Sequence, residues 1–272
     1  MAIRLIASDL DGTLMAPDHI TVTERTYNAL KAAHDKGVKI AIATGRTLGF
    51  VESVVKQIPF ADYVIYSNGA SVYDRAKQAD VYQNHISPEA TQALLKMLDG
   101  MPMYFNVYVG GRIYVQKNKI EHYRNAALPQ EFLDQFMACC KQCDSICDEL
   151  QGKCAEIIAM YNIPEQSREG LIAQFKAHSL HMTSSIKDEF EVTAPNVNKG
   201  TALIGLCREM GICTDEAMCF GDALNDYEML EAAGFSVAMG NACDECKQIA
   251  RFVTGTNAED GVAAAVEKFV LL

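Results

Sequence analysis

The sequence predicts an α/β protein in which a doubly wound, Rossmann-like parallel sheet is interrupted by an inserted α+β domain. At both ends of the chain, apolar runs of strand length alternate with segments of helical period, which is typical of βαβ units. Between them, the pattern changes to hairpin-like strands separated by helices. We therefore expect a core domain formed by residues 1–82 and 192–272, and an inserted domain formed by residues 83–191.

The core elements follow from these apolar runs. They predict strands at residues 3–8, 38–43, 62–66, 217–220, 236–239 and 252–254, with helices between them. The first helix is expected at residues 21–36, because Thr21 and Glu24 have the spacing of a capping box and Gly37 follows the helix. Another helix is expected to begin near Thr201.

The inserted domain is expected to be antiparallel. The stretch "YFNVYVGGRIYVQ" predicts two strands that turn back at Gly110 and Gly111, since two glycines between apolar runs indicate a hairpin. Helices are predicted near residues 88–98, 130–143 and 166–178. His85, His122 and Arg124 lie in or near this domain and are expected to be surface residues.

Composition excludes several classes of function. The net charge of −11 would repel nucleic acid and anionic membrane surfaces, so a phosphate-bearing ligand requires local cations or a bound metal. The chain has no apolar run of about 18 residues and no segment of signal-peptide pattern. We therefore expect a cytoplasmic protein that binds neither nucleic acid nor membranes, while the oligomeric state is not readable from the sequence.

The chain has 10 cysteines, which a cytoplasmic protein keeps reduced. One group lies close together in the inserted domain, and Cys243 and Cys246 form a C-x-x-C. We expect the first group to be small, mostly buried apolar residues; metal or redox use is the alternative, although the spacing is not that of structural zinc. The members of this group are Cys139, Cys140, Cys143, Cys147 and Cys154.

Polar clusters follow the predicted core strands. Each of them, taken alone, is compatible with an ordinary turn or helix start. Together they are expected to meet, because ligands of open parallel sheets bind beyond the carboxyl ends of the strands. The clusters are Asp9 and Asp11, Thr44 to Arg46, Ser67 to Gly69, and Asp222 with Asn225 and Asp226; Lys199 stands alone. So many carboxylates at one edge require a divalent cation, and oxygen ligands suit Mg²⁺.

This arrangement suits phosphoryl transfer. Asp9 fits a nucleophile that attacks phosphorus, and Asp11 fits an acid and base that moves protons in both half-reactions. Lys199 supplies positive charge for the transition state, and the Thr44 hydroxyl can bind the same phosphate. Asp222 would complete the metal site.

Two further polar residues of the last cluster have different expected tasks. Asn225 can hydrogen-bond phosphate without adding charge. Asp226 is expected to orient Lys199 or a metal-bound water.

The motifs "DLDGT", "ATGR", "NKG" and "GDALND", in this order, resemble those of the haloacid dehalogenase superfamily of phosphohydrolases. "SNGA", "SVAMGNA" and "EDGVAAAV" are similar to its Cof-type branch, in which a type IIB cap domain is inserted in the core. The resemblance implies Mg²⁺ ligation by Asp9, the backbone carbonyl of Asp11, and Asp222. It also implies a phosphate site made of the Leu10 N–H, Thr44, the Gly45 N–H, Lys199 and Asn225. Asn198 and Ala223 depart from the usual pattern, without affecting a chemical step.

The predicted function is that of a magnesium-dependent phosphatase that hydrolyses small phosphorylated metabolites, sugar phosphates foremost, through an aspartyl phosphate. Two alternatives stay open: a phosphotransferase or phosphomutase on the same fold, and a non-catalytic regulatory domain. The second usually requires loss of a catalytic acid, and Asp9, Asp11, Lys199 and Asp222 are all present. The cap residues that would select the substrate carry no readable motif.

Overall fold

A computed structural model describes residues 2–124, 130–183 and 189–272. Its strands are β1 (Leu5–Asp9), β2 (Lys39–Ala43), β3 (Tyr63–Tyr66), β4 (Ser71–Asp74), β5 (Ala79–Gln83), β6 (Tyr104–Val109), β7 (Arg112–Gln116), β8 (Cys140–Cys143), β9 (Ile157–Tyr161), β10 (His181–Thr183), β11 (Glu189–Thr193), β12 (Ala217–Gly221), β13 (Phe235–Ala238) and β14 (Phe252–Val253). Its α-helices are α1 (Glu24–Asp35), α2 (Leu48–Val55), α3 (Pro88–Asp99), α4 (Ile120–Arg124), α5 (Gln130–Cys139), α6 (Ile146–Glu149), α7 (Glu165–Ala177), α8 (Lys199–Met210), α9 (Tyr227–Ala232), α10 (Asp244–Ile249) and α11 (Gly261–Val266).

The chain divides into two compact units. The first comprises Met1–Arg46, Val51–Gln83 and Asn198–Leu272, and the second comprises Thr47–Phe50 and Asn84–Val197. No helix among the described residues is both long and apolar enough to cross a membrane.

The first unit contains a sheet with the strand order β14-β13-β12-β1-β2-β3-β4-β5. The strands from β14 to β3 are parallel, and β4 and β5 extend the β3 edge in antiparallel pairing. All residues of β1 are buried, so this strand lies at the centre of the core. The chain leaves β1 toward β2 on one side and returns to β12 on the other, which makes the carboxyl end of β1 the switch point where ligands bind. The predicted α/β fold class is confirmed, although β4 and β5 were not predicted.

Helix α1 begins at Glu24, three residues after the predicted capping residue. Thr23, not Thr21, is the N-cap residue, and its hydroxyl accepts a hydrogen bond from the Thr26 N–H at 3.2 Å. The Thr21 hydroxyl instead donates to Asp18 at 2.6 Å, in the loop that precedes the helix. The prediction of a cap at Thr21 was therefore wrong, because a nearby acceptor engages that hydroxyl before the helix starts.

The second unit contains a sheet with the order β10-β11-β9-β6-β7-β8. Gly110 and Gly111 join β6 to β7 with φ angles of 59° and 70°, the left-handed conformation that a two-residue hairpin turn requires at both positions. The hairpin prediction is thus confirmed. His122 is exposed and stacks on Tyr104 with ring centroids 4.8 Å apart, and His85 is half-buried. The side chain of Arg124 lies outside the described residues.

The helix predicted for residues 130–143 ends earlier in the structure. Helix α5 stops at Cys139, and the next four residues form β8, which pairs in parallel with β7. The open edge of β7 offers unpaired backbone groups, and pairing with them overrides the helical pattern of the sequence. Cys143 is buried there and donates its S–H to the Val115 carbonyl at 3.5 Å. Cys154, in contrast to the expected burial, is exposed.

Candidate active site

A buried ammonium group lies between two carboxylates beyond the carboxyl end of β1. Lys199, the first residue of α8, donates hydrogen bonds to Asp9 Oδ1 and to Asp226 Oδ1, each at 2.6 Å. Lys199 and Asp226 are fully buried and Asp9 is 6% exposed. Asp9 ends β1 and Asp226 follows β12, so the switch point of the sheet brings together residues far apart in the sequence.

The position of Lys199 depends on the residue before it. Asn198 is the N-cap residue of α8, and its side-chain oxygen accepts a hydrogen bond from the Thr201 N–H at 2.7 Å. The capping fixes the first turn of the helix from which Lys199 projects. Asn198 departs from the residue that the resemblance implies here, but it caps the helix as a serine would.

Asp226 has both carboxylate oxygens engaged. Oδ1 accepts from Lys199, while Oδ2 accepts from the backbone N–H groups of Asp222 at 3.0 Å and Ala223 at 3.1 Å. The carboxylate therefore joins the ammonium group to the turn that follows β12. A side chain that accepts three hydrogen bonds through its two oxygens is suited to positioning Lys199.

The charges of this cluster do not balance. Burial and the neighbouring Asp226 raise the pKa of Asp9 to about 8, although the Lys199 ammonium opposes the rise. Burial disfavours the charged form of Lys199, but the two carboxylates outweigh it and raise the pKa of the ammonium group above its usual value. Lys199 is thus protonated, and Asp9 shares this one positive neighbour with Asp226.

Asp222 adds a third acid at the same edge. It follows β12 directly, and its Oδ1 accepts a hydrogen bond from the Thr13 hydroxyl at 2.9 Å. Burial raises its pKa, although the hydrogen bond from Thr13 acts in the opposite direction. Gly12 has a φ angle of 84°, and a Cβ atom at this position would overlap the Asp222 carboxylate. The glycine of D-L-D-G-T is therefore required for both the turn and the close approach of the two loops.

The donor set at this edge fits a hard divalent cation. One oxygen from each of Asp9, Asp222 and Asp226 lies within 4.8 Å of the others, and among the described residues no cysteine belongs to such a group. Asp226 accepts three hydrogen bonds, whereas the hydrogen bonds from Lys199 to Asp9 and from Thr13 to Asp222 engage one oxygen of each, so Asp9 and Asp222 are the better-placed ligands for a cation. Carboxylate oxygens and an uncompensated negative charge are the features that Mg²⁺ sites share.

Asp11 lies apart from the acidic group. Its carboxylate forms a bidentate ion pair with Arg46, with Nη2 to Oδ1 at 2.6 Å and Nε to Oδ2 at 3.0 Å. His19 Nδ1 lies 3.3 Å from the same Oδ1. The side chain of Asp11 is 41% exposed, whereas that of Arg46 is 9% exposed. The structure therefore gives the two acids of the first motif different partners, and it gives Arg46 a contact that the sequence did not predict.

The remaining predicted residues line the loops after β2 and β12. Thr44 is buried, its hydroxyl accepts from the Arg46 N–H at 3.1 Å, and its carbonyl accepts from the Asn68 N–H at 3.1 Å. Asn68 Oδ1 accepts from Asn225 Nδ2 at 3.3 Å, and a Cβ atom at Gly45 would lie 2.9 Å from the same oxygen. Asn68 thus connects the two predicted phosphate-binding loops.

The sequence offered little to identify Asn68 as a linking residue. It has a φ angle of 54°, and left-handed backbone at an asparagine after a strand is compatible with any turn. The Leu10 side chain, next to Asp9, is fully buried, so only the backbone of this residue is available to a ligand.

Comparison with known proteins places this site in a family. The sequence profile described as haloacid dehalogenase-like hydrolase matches residues 6–266. The chain is 33% identical to phosphatase YwpJ of Bacillus subtilis strain 168, over 96% of this chain and 97% of the relative. It is 30% identical to the 5-amino-6-(5-phospho-D-ribitylamino)uracil phosphatase YcsE of the same organism, over 99% of this chain and 96% of the relative.

Solved structures agree with the sequence comparison. The HAD subclass IIB sugar phosphatase BT4131 superposes with a TM-score of 0.74 at 25% identity, covering 99% of this chain and all of the other. The family match spans nearly the whole chain, and the relatives match over nearly their whole lengths. The predictions of the family, of its Cof-type branch and of a phosphoric monoester hydrolase are confirmed, and the chain belongs to the haloacid dehalogenase-like hydrolase family of phosphatases.

Proposed function

We propose that this phosphatase hydrolyses small phosphorylated metabolites, with sugar phosphates foremost, and that Asp9 is the residue phosphorylated during turnover. The observation that carries the assignment is the pair of 2.6 Å hydrogen bonds by which Lys199 joins Asp9 to Asp226. An ammonium group held beside a carboxylate nucleophile can stabilise the charge that develops on the transferring phosphoryl group. The relatives YcsE and BT4131 act, by name, on a phosphorylated ribitylamino compound and on sugar phosphates.

Within the buried cluster, we assign the attack on phosphorus to Asp9, which Lys199 contacts directly. Its partner Asp226 is engaged at both oxygens, and Asp222 is oriented by the Thr13 hydroxyl. Lys199 holds Asp9 Oδ1, which leaves the second oxygen to approach phosphorus. Attack forms a P–O bond to Asp9 and breaks the P–O bond to the ester oxygen. The second half-reaction is therefore the hydrolysis of an acyl phosphate.

Asp11 is proposed to protonate the departing alcohol and then to accept a proton from the water that hydrolyses the acyl phosphate. In the structure its carboxylate is held by Arg46 and exposed to solvent. Because both carboxylate oxygens of Asp11 face the Arg46 guanidinium, Asp11 must turn out of this ion pair to reach the leaving group. Once Asp11 has left the ion pair, Arg46 presents a positive group next to Thr44 and Gly45, which are proposed to bind phosphate.

The metal is proposed to be Mg²⁺, held by Asp9, Asp222 and the backbone carbonyl of Asp11. When bound, the cation offsets the carboxylate charge and polarises a phosphate oxygen. The fit rests on the donor set, because carboxylate oxygens of Asp9 and Asp222 lie within 4.8 Å of one another at this edge. Burial raises the pKa of both groups, so a cation that favours their charged forms suits the site.

The phosphate is proposed to be held by the Leu10 and Gly45 N–H groups, Thr44, Lys199 and Asn225. Asn68 supports this assignment, because it contacts both the loop of Thr44 and the side chain of Asn225. A residue that links two loops can keep their donors at a fixed separation.

We further propose that residues 1–82 and 192–272 form the catalytic core, that residues 83–191 form a cap which selects the ester, and that the protein is cytoplasmic. Every residue assigned a chemical step lies in the first of the two compact units. This supports a division of labour in which the second unit supplies specificity and none of the phosphoryl-transfer groups.

The test is a panel of phosphate monoesters assayed for phosphate release with Mg²⁺ and with excess chelator. We expect sugar phosphates to be hydrolysed, and hydrolysis to require the metal. Asp222→Asn should lose most of the activity, while Asp215→Asn, at an exposed position, serves as the matched control and should retain it. Full activity in chelator would refute the metal assignment, and phosphoryl transfer to a second sugar in place of water would replace hydrolysis by a transferase function.

A further inference from the structure

Two asparagines contact the turn of D-L-D-G-T from loops to which the proposed reaction assigns no role. Asn241 lies in the stretch "SVAMGNA", three residues after the end of β13. Asn257 lies in the loop that follows β14. Asn241 is exposed and Asn257 is half-buried, and both belong to the first compact unit.

The carboxamide of Asn241 forms a hydrogen bond at each of its ends. Nδ2 donates to the Gly12 carbonyl at 2.8 Å, and Oδ1 accepts from the Asn257 N–H at 3.1 Å. An amide side chain carries a donor and an acceptor on one planar group, so it can link a backbone carbonyl to a backbone N–H. Asn241 therefore joins the turn of the first motif to the loop that carries Asn257.

Asn257 holds the other end of the same turn. Its Nδ2 donates to the Met15 carbonyl at 3.0 Å. The Met15 N–H in turn donates to the Leu10 carbonyl at 3.0 Å, which closes the turn. The side chains of two other loops therefore hold the carbonyl groups of Gly12 and Met15.

The backbone of this turn is irregular. Asp11 has φ and ψ angles of −79° and 114°, and Gly12 has angles of 84° and −4°, so the two residues do not continue a helix. The peptide between them carries the Asp11 carbonyl, which is proposed to bind Mg²⁺. Glycine has the widest backbone freedom, so a contact at the Gly12 carbonyl restricts the rotation of the planar peptide that precedes it.

The chain next to Asn241 is also joined to the second proposed metal-binding loop. The Cys243 N–H donates to the Asp222 carbonyl at 2.9 Å. The Thr13 hydroxyl already links the first motif to the Asp222 carboxylate. Asn241 adds a second link between these two loops, on the other side of the Gly12 peptide.

We propose that Asn241 and Asn257 are positioning residues of the metal site, which hold the D-L-D-G-T turn and so keep the Asp11 carbonyl in a fixed relation to Asp222. The inference rests on the proposed Mg²⁺ site. Mg²⁺ demands nearly ideal octahedral oxygen coordination, so it binds more weakly when a ligand must first be brought into place. Neither asparagine contacts the ion or the substrate in this role.

The two asparagines can be tested separately. Asn241→Ala removes the hydrogen bonds to Gly12 and to the Asn257 N–H, whereas Asn257→Ala keeps that N–H and removes only the hydrogen bond to Met15. The net contribution of one hydrogen bond corresponds to about a two- to tenfold change in an equilibrium constant. Each variant should therefore change the order of the turn and the affinity for Mg²⁺ by about this factor, and Asn241→Ala should have the larger effect.

The first measurement is hydrogen exchange of the metal-free proteins, followed by mass spectrometry. We expect the peptide that contains residues 9–15 to exchange about two- to tenfold faster in both variants, while peptides from β1 and β12 keep their rates. Asn28→Ala is the matched control, because Asn28 is an exposed asparagine of α1 in the same unit, and it should leave residues 9–15 unchanged.

The second measurement is Mg²⁺ binding by calorimetry without substrate. Affinity should fall by about two- to tenfold in Asn241→Ala and Asn257→Ala and stay unchanged in Asn28→Ala. In a steady-state assay the Mg²⁺ concentration that gives half the maximal rate should rise by the same factor. Added Mg²⁺ should then recover lost activity, which it would not do if the substitution had damaged the fold as a whole.

Three results would overturn the inference in different ways. Unchanged exchange of residues 9–15 in both variants refutes the hold on the turn. Faster exchange there with unchanged Mg²⁺ affinity refutes the positioning of the metal ligands. If the natural protein binds no Mg²⁺, the proposed metal site fails and with it the role of the two asparagines toward the metal, while the exchange rates still decide whether they hold the turn.

Discussion

Replacing Asp9 by asparagine should abolish phosphatase activity and, in the metal-free protein, increase the free energy of unfolding at neutral pH. Asparagine keeps Oδ1, which accepts the 2.6 Å hydrogen bond from Lys199. It removes one of the two negative charges that face a single buried ammonium group. The remaining pair of Lys199 and Asp226 is neutral overall and hydrogen-bonded, which is the favourable arrangement for buried charges.

The magnitude follows from the pKa of Asp9. Because folding raises this pKa from 3.8 to about 8, the folded protein binds more protons at this group than the unfolded chain does between these values. The free energy of unfolding of the metal-free protein therefore falls as the pH rises from about 4 to about 8. At pH 7 the penalty is about 4 kcal/mol, since each pH unit above the unfolded pKa contributes about 1.4 kcal/mol.

The assay is thermal or urea denaturation of both proteins in excess chelator between pH 4 and pH 8. The two proteins should be equally stable near pH 4, and the asparagine variant should be more stable at pH 7 by up to about 4 kcal/mol, or on the order of 10 °C in Tm. Mg²⁺ should reverse the order, because it binds the ionised Asp9 of the natural protein and displaces a proton near neutral pH. Asp215→Asn, an exposed substitution, controls for the loss of one charge.

One result would contradict this reasoning directly. If the stabilities of the natural protein and of Asp9→Asn change in parallel from pH 4 to pH 8, then Asp9 is ionised throughout this range. In that case Lys199 alone stabilises the charge of Asp9, and the metal is not needed to keep the nucleophile ionised.

Three further substitutions test the other groups of the site. Lys199→Ala should lower kcat about a hundredfold or more in a steady-state assay, because it removes one electrostatic stabiliser of the transition state; a change confined to KM would place Lys199 in substrate binding. Asp11→Asn should release an activated aryl alcohol in a rapid burst and then turn over slowly, with the phosphoryl mass located on Asp9 by quenched-flow mass spectrometry; a mass on any other residue would remove the nucleophile assignment. Asp226→Asn should destabilise the protein by about 3–5 kcal/mol in urea denaturation, because an amide group would face either Lys199 or the two backbone donors; a loss no larger than that of Asp215→Asn would show that the ion pair contributes nothing to folding.

The order of motifs predicted which residues would lie together because each motif follows its own strand. Asp9 ends β1 and Asp222 follows β12, and neighbouring parallel strands bring such positions to one edge of the sheet whatever separates them in sequence. The role of Asp226 was predicted only as one of two possibilities. Its contacts with Lys199 and with two backbone N–H groups depend on the path of a short turn, and no local pattern specifies that path.

Other features could not be predicted because long-range contacts decide them. Residues 140–143 carry the end of a helical pattern, yet they pair with β7, whose open edge is visible only once the sheet is assembled. Strands β4 and β5 are short, and β5 has no fully buried residue, so their apolar pattern is weak. The ion pair of Arg46 with Asp11 joins two loops 35 residues apart, and neither residue type nor spacing indicates it.

The two aspartates of D-L-D-G-T differ in environment although they lie two residues apart. Side chains at this spacing would share one face of a continuous strand, but β1 ends at Asp9 and the chain turns through Gly12. Asp9 remains in the buried core with a raised pKa, whereas Asp11 emerges toward Arg46 and solvent. A buried carboxylate that awaits a cation suits attack on phosphorus, and an exposed one that can exchange partners suits proton transfer. The separation of the proposed roles therefore arises from the point at which the strand ends, since the two residues are chemically the same.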